Sequence, residues 1–132
     1  MIIANAKQLA IGYKGKALIK DLSFHIEQGQ IICLLGANGC GKTTLMRTLL
    51  GLIPCIDGEI NIAGKTLSGW SPTELAKVVA YVPQATHIPF SFNVIDMVVM
   101  GRGAHLSFFS MPSSQDKVMA METLEMLSLS HL

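Results

Sequence analysis

The sequence predicts an α/β fold, and three stretches predict it. A glycine-rich loop at 36–44 stands between a continuous apolar run and a helical pattern. Residues 1–30 read as strands, with alternation of the antiparallel kind over Leu22–Ile26. Residues 93–132 carry helical patterns with recognisable starts. With 132 residues, 50% hydrophobic and only 14% charged, the chain suits one domain with a sizeable core.

The loop Gly36-Ala37-Asn38-Gly39-Cys40-Gly41-Lys42-Thr43-Thr44 matches the phosphate-binding pattern of glycine, a variable stretch, glycine-lysine, then serine or threonine. A loop that wraps a polyphosphate must turn its backbone N–H groups inward. Gly36, Gly39 and Gly41 allow the dihedral angles and the close approach that this needs. Lys42 then places a point charge near the β- and γ-phosphates of a nucleotide, and the Thr43 hydroxyl is available to Mg²⁺. The helix that begins there aims its positive dipole end at the anion. The context fits, because Ile31-Ile32-Cys33-Leu34-Leu35 is an apolar run of buried-strand length, and the helix Thr43–Leu50 stops at Gly51.

Taken in order, Ile2–Ile11 is the first expected strand and Gly12–Gly15 a turn. Tyr13 reads as an aromatic cap on the sheet edge. Beyond the loop helix, Asp57-Gly58 is a turn and Glu59–Ala63 a strand, followed by another turn at Gly64-Lys65. Ser71-Pro72-Thr73-Glu74 starts a short helix, with Ser71 as N-cap, proline in the first turn and Glu74 closing a capping box. Val78–Val82 reverts to a β-rich run that Pro83 ends, and Gln84 reads as a loop residue. Asn93, with Asp96 beyond it, is placed to cap a helix over Val94–Met100, which Gly101-Arg102-Gly103 stops. Pro112-Ser113 opens another helix, with Ser113 and Asp116 in capping-box register and Ala120, Met121, Leu124 and Leu127 on its apolar face. The methionines at 97, 100, 119, 121 and 126 read as packing residues.

Charge and cysteine usage narrow the function classes. A net charge of +1 with no basic stripe argues against nucleic acid as the main partner. No apolar run reaches the ~20 residues that span a bilayer, and the N-terminus has no signal-peptide pattern. Cys33, Cys40 and Cys55 sit singly, in neither a zinc spacing nor a disulfide framework, which suits a reducing cytoplasm. Cys33 reads as a small buried residue. Cys40 reads either as a plain loop residue or as a reactive thiol beside the phosphates. The four histidines show no metal-ligand spacing. A mean hydropathy of +0.45 suggests that apolar surface is normally covered by something else.

With these residues quoted, the chain resembles the ATP-binding subunit of ABC transporters. The likeness rests on the phosphate loop 36–44, on Tyr13 after the first strand, on Asp57-Gly58-Glu59-Ile60 and on Tyr81-Val82-Pro83-Gln84. The stretch Val94–Arg102 followed by Pro112-Ser113 looks like the importer branch for iron–siderophore, haem or cobalamin complexes, with a related molybdate subset. The resemblance implies a P-loop NTPase core joined to an antiparallel β-subdomain and the start of a helical subdomain. It implies ATP and Mg²⁺ as cofactors. Tyr13 would stack on adenine, and Gly36, Ala37, Asn38, Gly39, Cys40, Gly41, Lys42, Thr43 and Thr44 would hold the phosphates. Lys42 and Gln84 would be the catalytic residues, and Thr43 and Gln84 would reach Mg²⁺. Partners would be membrane permease subunits and a second ATP-binding subunit, at the cytoplasmic face of the membrane, with no nucleic acid.

The resemblance also has a gap. No Leu-Ser-Gly-Gly-Gln signature, no apolar strand ending in Asp-Glu and no switch histidine can be found. The expectation is therefore the N-terminal part of one ATP-binding domain over 1–132. Residues 1–30 and 56–82 would supply β-rich and core strands, 31–55 the phosphate loop and helix, and 85–132 the Q-loop and the start of the helical subdomain. Such a chain is expected to bind ATP, to hydrolyse it hardly at all, and to leave Ile31–Leu35 poorly buried, with aggregation or molten behaviour. A non-catalytic fragment that occupies a permease and a P-loop small-molecule kinase are the alternatives. The kinase has only Arg47 and Arg102 to offer as lid arginines.

Overall fold

The computed structural model describes residues 1–83, 91–106 and 110–131. They form two compact units, Met1–Val79 and Ala80–Leu132.

The first unit is built on a long hairpin. Strand β1 (Ile2–Tyr13) pairs antiparallel with β2 (Lys16–Glu27), and Tyr13 faces Lys16 across the turn. Lys14 and Gly15 both have positive φ, 50° and 75°, which is the turn geometry that matches the natural twist of two strands. Strand β3 (Asp57–Ile62) pairs with the other side of β1, and β4 (Lys65–Thr66) follows through a similar turn at Ala63-Gly64. The order is β2-β1-β3-β4. Tyr13 is thus at the end of a central strand, not on an edge.

β1 does not keep a simple alternation. Gln8 sits at φ 47°, where the register shifts on both neighbouring strands. This bulge resets the period, so Ala6 before it and Leu9 and Ile11 after it all reach the core. Ile60 and Ile62 of β3 complete the sheet's contribution. Helix α1 (Lys42–Leu49) adds Leu45, and helix α2 (Pro72–Leu75) adds Leu75. The capping box of α2 forms as expected. Ser71 Oγ accepts from the Glu74 amide at 3.3 Å, and the Glu74 carboxylate accepts from the Ser71 amide at 2.9 Å.

Two expected strands are not formed among the described residues. Ile31–Leu35 has no regular secondary structure and no ladder partner among the described residues, and Ile31 and Leu35 are 92% and 89% exposed. Cys33 is exposed as well, which corrects its reading as a buried residue. A strand of parallel type is held by neighbours on its flanks, and the antiparallel sheet does not supply them. Val78–Val82 fails for a different reason at its start. The amides of Val78 and Val79 donate to the Leu75 carbonyl, so the turn after α2 claims the groups that a ladder would use.

The second unit contains α3 (Val94–Met100), a single 3-10 turn at Gly103–His105, and α4 (Ser114–Met126). Asn93 occupies the N-cap of α3, but its side chain donates to Asp96 Oδ2 at 3.3 Å and does not bond the backbone. Helix α4 packs on α3 with Asp116, Ala120 and Leu124 on its buried stripe and Val99 facing from α3. Met121 and Leu127 were expected on that stripe and are 45% and 61% exposed. The methionines at 97, 100, 119, 121 and 126 are likewise largely exposed, so they do not pack the unit's interior.

One carboxylate ties the start of α4 to the turn that follows α3. Asp116 Oδ2 accepts from the Ser113 hydroxyl at 2.6 Å and the Ser113 amide at 2.9 Å, while Oδ1 accepts from Arg102 Nε at 3.0 Å. These bonds, Ser113's foremost and Arg102's after them, pull the Asp116 pKa from 3.8 down to about 2. An acid that is stronger when folded stabilises the fold above its unfolded pKa. That contribution should fade as the pH falls from 3.8 toward about 2. Asp116→Asn is expected to lower stability near neutral pH and to flatten the acid limb in this window. Urea midpoints measured across the window for both chains check it, and parallel curves would count against it.

Candidate functional site

The phosphate loop runs from the irregular segment 31–35 into α1. Its shape depends on glycine. Gly41, the residue before the helix, has φ 102°, and a Cβ there would meet Ile19 Cδ1 at 3.0 Å. At Gly36 a Cβ would meet Cys40 Sγ at 2.7 Å. All three loop glycines hold positive φ, 159° at Gly36, 82° at Gly39 and 102° at Gly41, a backbone region that side chains rarely adopt. Gly41 is buried at the helix start and Thr43 is exposed one residue after Lys42.

Lys42 occupies the centre of this loop. Its Nζ donates to the Gly36 carbonyl at 2.6 Å and the Ala37 carbonyl at 2.7 Å, and lies 3.7 Å from Cys40 Sγ. The ammonium is thus fixed over the loop by the loop's own backbone. The first-turn amides of α1 have no intrahelical acceptor by geometry, so the same place collects N–H donors. A fixed cation, a helix start and glycine backbone together make a cradle for a chain of phosphates.

For Mg²⁺ the donor set is sparser. Thr43 supplies one exposed hydroxyl oxygen, which suits a hard cation that draws its other oxygens from phosphate and water. Among the described residues no group of His, Cys, Asp and Glu side chains clusters in a way that could hold a metal ion. Gln84 lies outside the described residues.

Tyr13 is brought to the loop helix. Hydrogen bonding toward the Thr44 and Arg47 side chains, Thr44's foremost, holds the Tyr13 pKa below the ordinary tyrosine value. The ring remains 45% exposed, while Thr44 is buried at 6%. The sequence reading passed over Arg47 in this role. Thr44 and Arg47 do share one helix face at i, i+3 spacing, so half of the signal is legible. The other half, that Tyr13 ends its strand beside that face, comes only from the fold.

The ABC transporter family profile matches residues 19–132. The chain belongs to the ABC transporter family. A curated relative of Haemophilus influenzae, named "Uncharacterized ABC transporter ATP-binding protein", is 49% identical over 132 residues, covering 100% of this chain and 50% of its own length. One of Helicobacter pylori, named "Probable iron chelatin transport ATP-binding protein", is 38% identical and covers 99% of this chain and 52% of its own. The chain therefore spans about half the length of the curated relatives it matches. Among solved structures, an inward-facing metal-chelate type ABC transporter superposes with a TM-score of 0.78 at 33% identity, over 99% of this chain and 46% of that one. A nucleotide-free ATP-binding cassette of an ABC transporter reaches the same TM-score at 22% identity and bears on the fold alone. The fold is accordingly that of a partial ABC ATPase domain: the antiparallel sheet, the phosphate loop with its helix, and helices of the following region. No helix among the described residues is long and apolar enough to cross a membrane.

Proposed function

We propose that this chain is the ATP-binding part of an ABC importer subunit, with the triphosphate held at 36–44 and the base against Tyr13. The single observation that carries the reading is the Lys42 ammonium fixed between the Gly36 and Ala37 carbonyls at the start of α1. Gly36, Ala37, Asn38, Gly39, Cys40, Gly41 and Thr44 offer backbone to the phosphates. Lys42 meets the outer phosphates, and Thr43 gives its hydroxyl to Mg²⁺, which when bound neutralises the β- and γ-oxygens. Gln84 is proposed as the second Mg²⁺ contact.

Turnover by these 132 residues should be slow. The sequence holds no apolar strand ending in Asp-Glu, so no acid of that kind orients water. Within the intact transporter the same loop would serve hydrolysis by a pair of such subunits. Their closure would drive a permease at the cytoplasmic face of the membrane through the segment near Gln84. The domain is proposed to divide as the sequence suggests, with 1–30 and 56–82 as β-rich and core segments, 31–55 as loop and helix, and 85–132 leading into a helical subdomain. A metal complex as cargo is supported by relatives named for iron chelatin, molybdate and hemin import. The iron–siderophore class is the preferred member.

Titrating the chain with ATP, with and without Mg²⁺, while following phosphate release tests the reading. Saturable binding strengthened by Mg²⁺, with little released phosphate, is expected. Absence of binding would remove the nucleotide site, and brisk turnover would remove the claim of slow hydrolysis.

A further inference from the structure

A phosphate loop grips well only if its backbone is already curved when the anion arrives, and glycine, which permits the curve, also abandons it most readily. The surroundings of the three loop glycines differ. A Cβ built on Gly39 would meet nothing within 4 Å, and one on Gly36 would meet only Cys40 of the loop itself. Among the described residues, a Cβ on Gly41 would meet a side chain from outside the loop, Ile19, with Cδ1 at 3.0 Å and Cγ1 at 3.3 Å. Ile19 belongs to β2, so the hairpin fills the space into which a side chain at 41 would project. Gly41 is buried at φ 102°, where the chain turns from loop to helix immediately before Lys42.

Ile19 is held in place from behind. It is half-buried against the core cluster and lies across the hairpin from Ile11, which is 0% exposed. Its β-branched side chain has few rotamers to exchange. We infer that Ile19 is a positioning residue for the phosphate loop: packed on Gly41 from the hairpin side, it holds the left-handed turn that aims the first amides of α1 at the anion. This role presupposes the proposed ATP site at 36–44. The Ile19 side chain is purely apolar, so it acts through the backbone it braces and not on the ligand. A loop shaped beforehand loses less freedom on binding than one that the ligand must order. The turn serves phosphates and not the base, so ATP and inorganic triphosphate should feel its loss alike.

The test measures both ligands on the 132-residue chain, Ile19→Val, Ile19→Ala and Ile60→Val. Ile19→Val removes Cδ1, the atom nearest to the Gly41 position. Ile60→Val removes the same methyl from the same core cluster, at a site on β3 that is 3% exposed. The two valine variants should lower the urea midpoint by similar amounts. Only Ile19→Val should weaken binding, about threefold for each ligand, the low end of what fixing one flexible unit before binding is worth. Ile19→Ala should weaken both further, and if it does not fold the valine pair still decides. Amide exchange at Gly41–Thr44 should quicken in Ile19→Val and hold steady in Ile60→Val. Unchanged affinity in Ile19→Val, an equal loss in Ile60→Val, or a loss for ATP that spares triphosphate would overturn the inference. Failure of the unmodified chain to bind either ligand would instead defeat the ATP site itself, and the role of Ile19 with it.

Discussion

Lys42→Ala is expected to weaken ATP binding by roughly a hundredfold or more. The ammonium makes charge-assisted hydrogen bonds, which are worth roughly 1.5–3 kcal/mol each, and a triphosphate would take up more than one of them. The loop also loses its internal organiser, because Gly36 O and Ala37 O accept from Nζ at 2.6 and 2.7 Å and would have to find water instead. Lys42→Arg should be nearly as damaging, since a planar fork cannot reproduce a point charge lying between two carbonyls. A fluorescent ATP analogue, titrated with each variant under one salt condition, provides the measurement. A loss below tenfold for Lys42→Ala would contradict the placement of the phosphates.

Leu9→Ala is expected to cost about 3 kcal/mol of stability, within the usual range for emptying a fully buried leucine site. Leu9 is 0% exposed and lies in one cluster with Ile11, Leu45, Ile60 and Leu75, where two strands and two helices meet. With typical urea slopes this corresponds to a fall of about 1.5 M in the unfolding midpoint. Ile31→Ala offers the contrast. Ile31 is 92% exposed, so the same kind of truncation should leave the midpoint nearly unmoved. Equal losses at the two positions would mean that the segment before the loop is buried in solution.

Legibility followed the range of the interactions. The helix starts at Ser71 and Ser113 are set by side chains bonding backbone three residues away, and both formed as the sequence implies. The phosphate loop is equally local, and its glycines sit where backbone geometry demands them. Ile31–Leu35 and Val78–Val82 have strand composition but no ladder among the described residues, because a strand exists only with a neighbour and composition cannot supply one. The bulge at Gln8 escaped notice for a related reason: its effect is a change of phase visible only once β2 and β3 are in register. Arg47 was missed because its partner, Tyr13, is distant in sequence and is delivered by the hairpin.

The open stretch at 31–35 has a practical side. Its amides lack ladder acceptors among the described residues, whereas those of β1 are locked between two strands, so deuterium should replace hydrogen in the former long before the latter. Anything that later lies alongside Ile31–Leu35, whether a neighbouring strand or a foreign peptide, will announce itself as slowed labelling at those positions. The segment that leads into the nucleotide loop is thereby a built-in gauge of assembly.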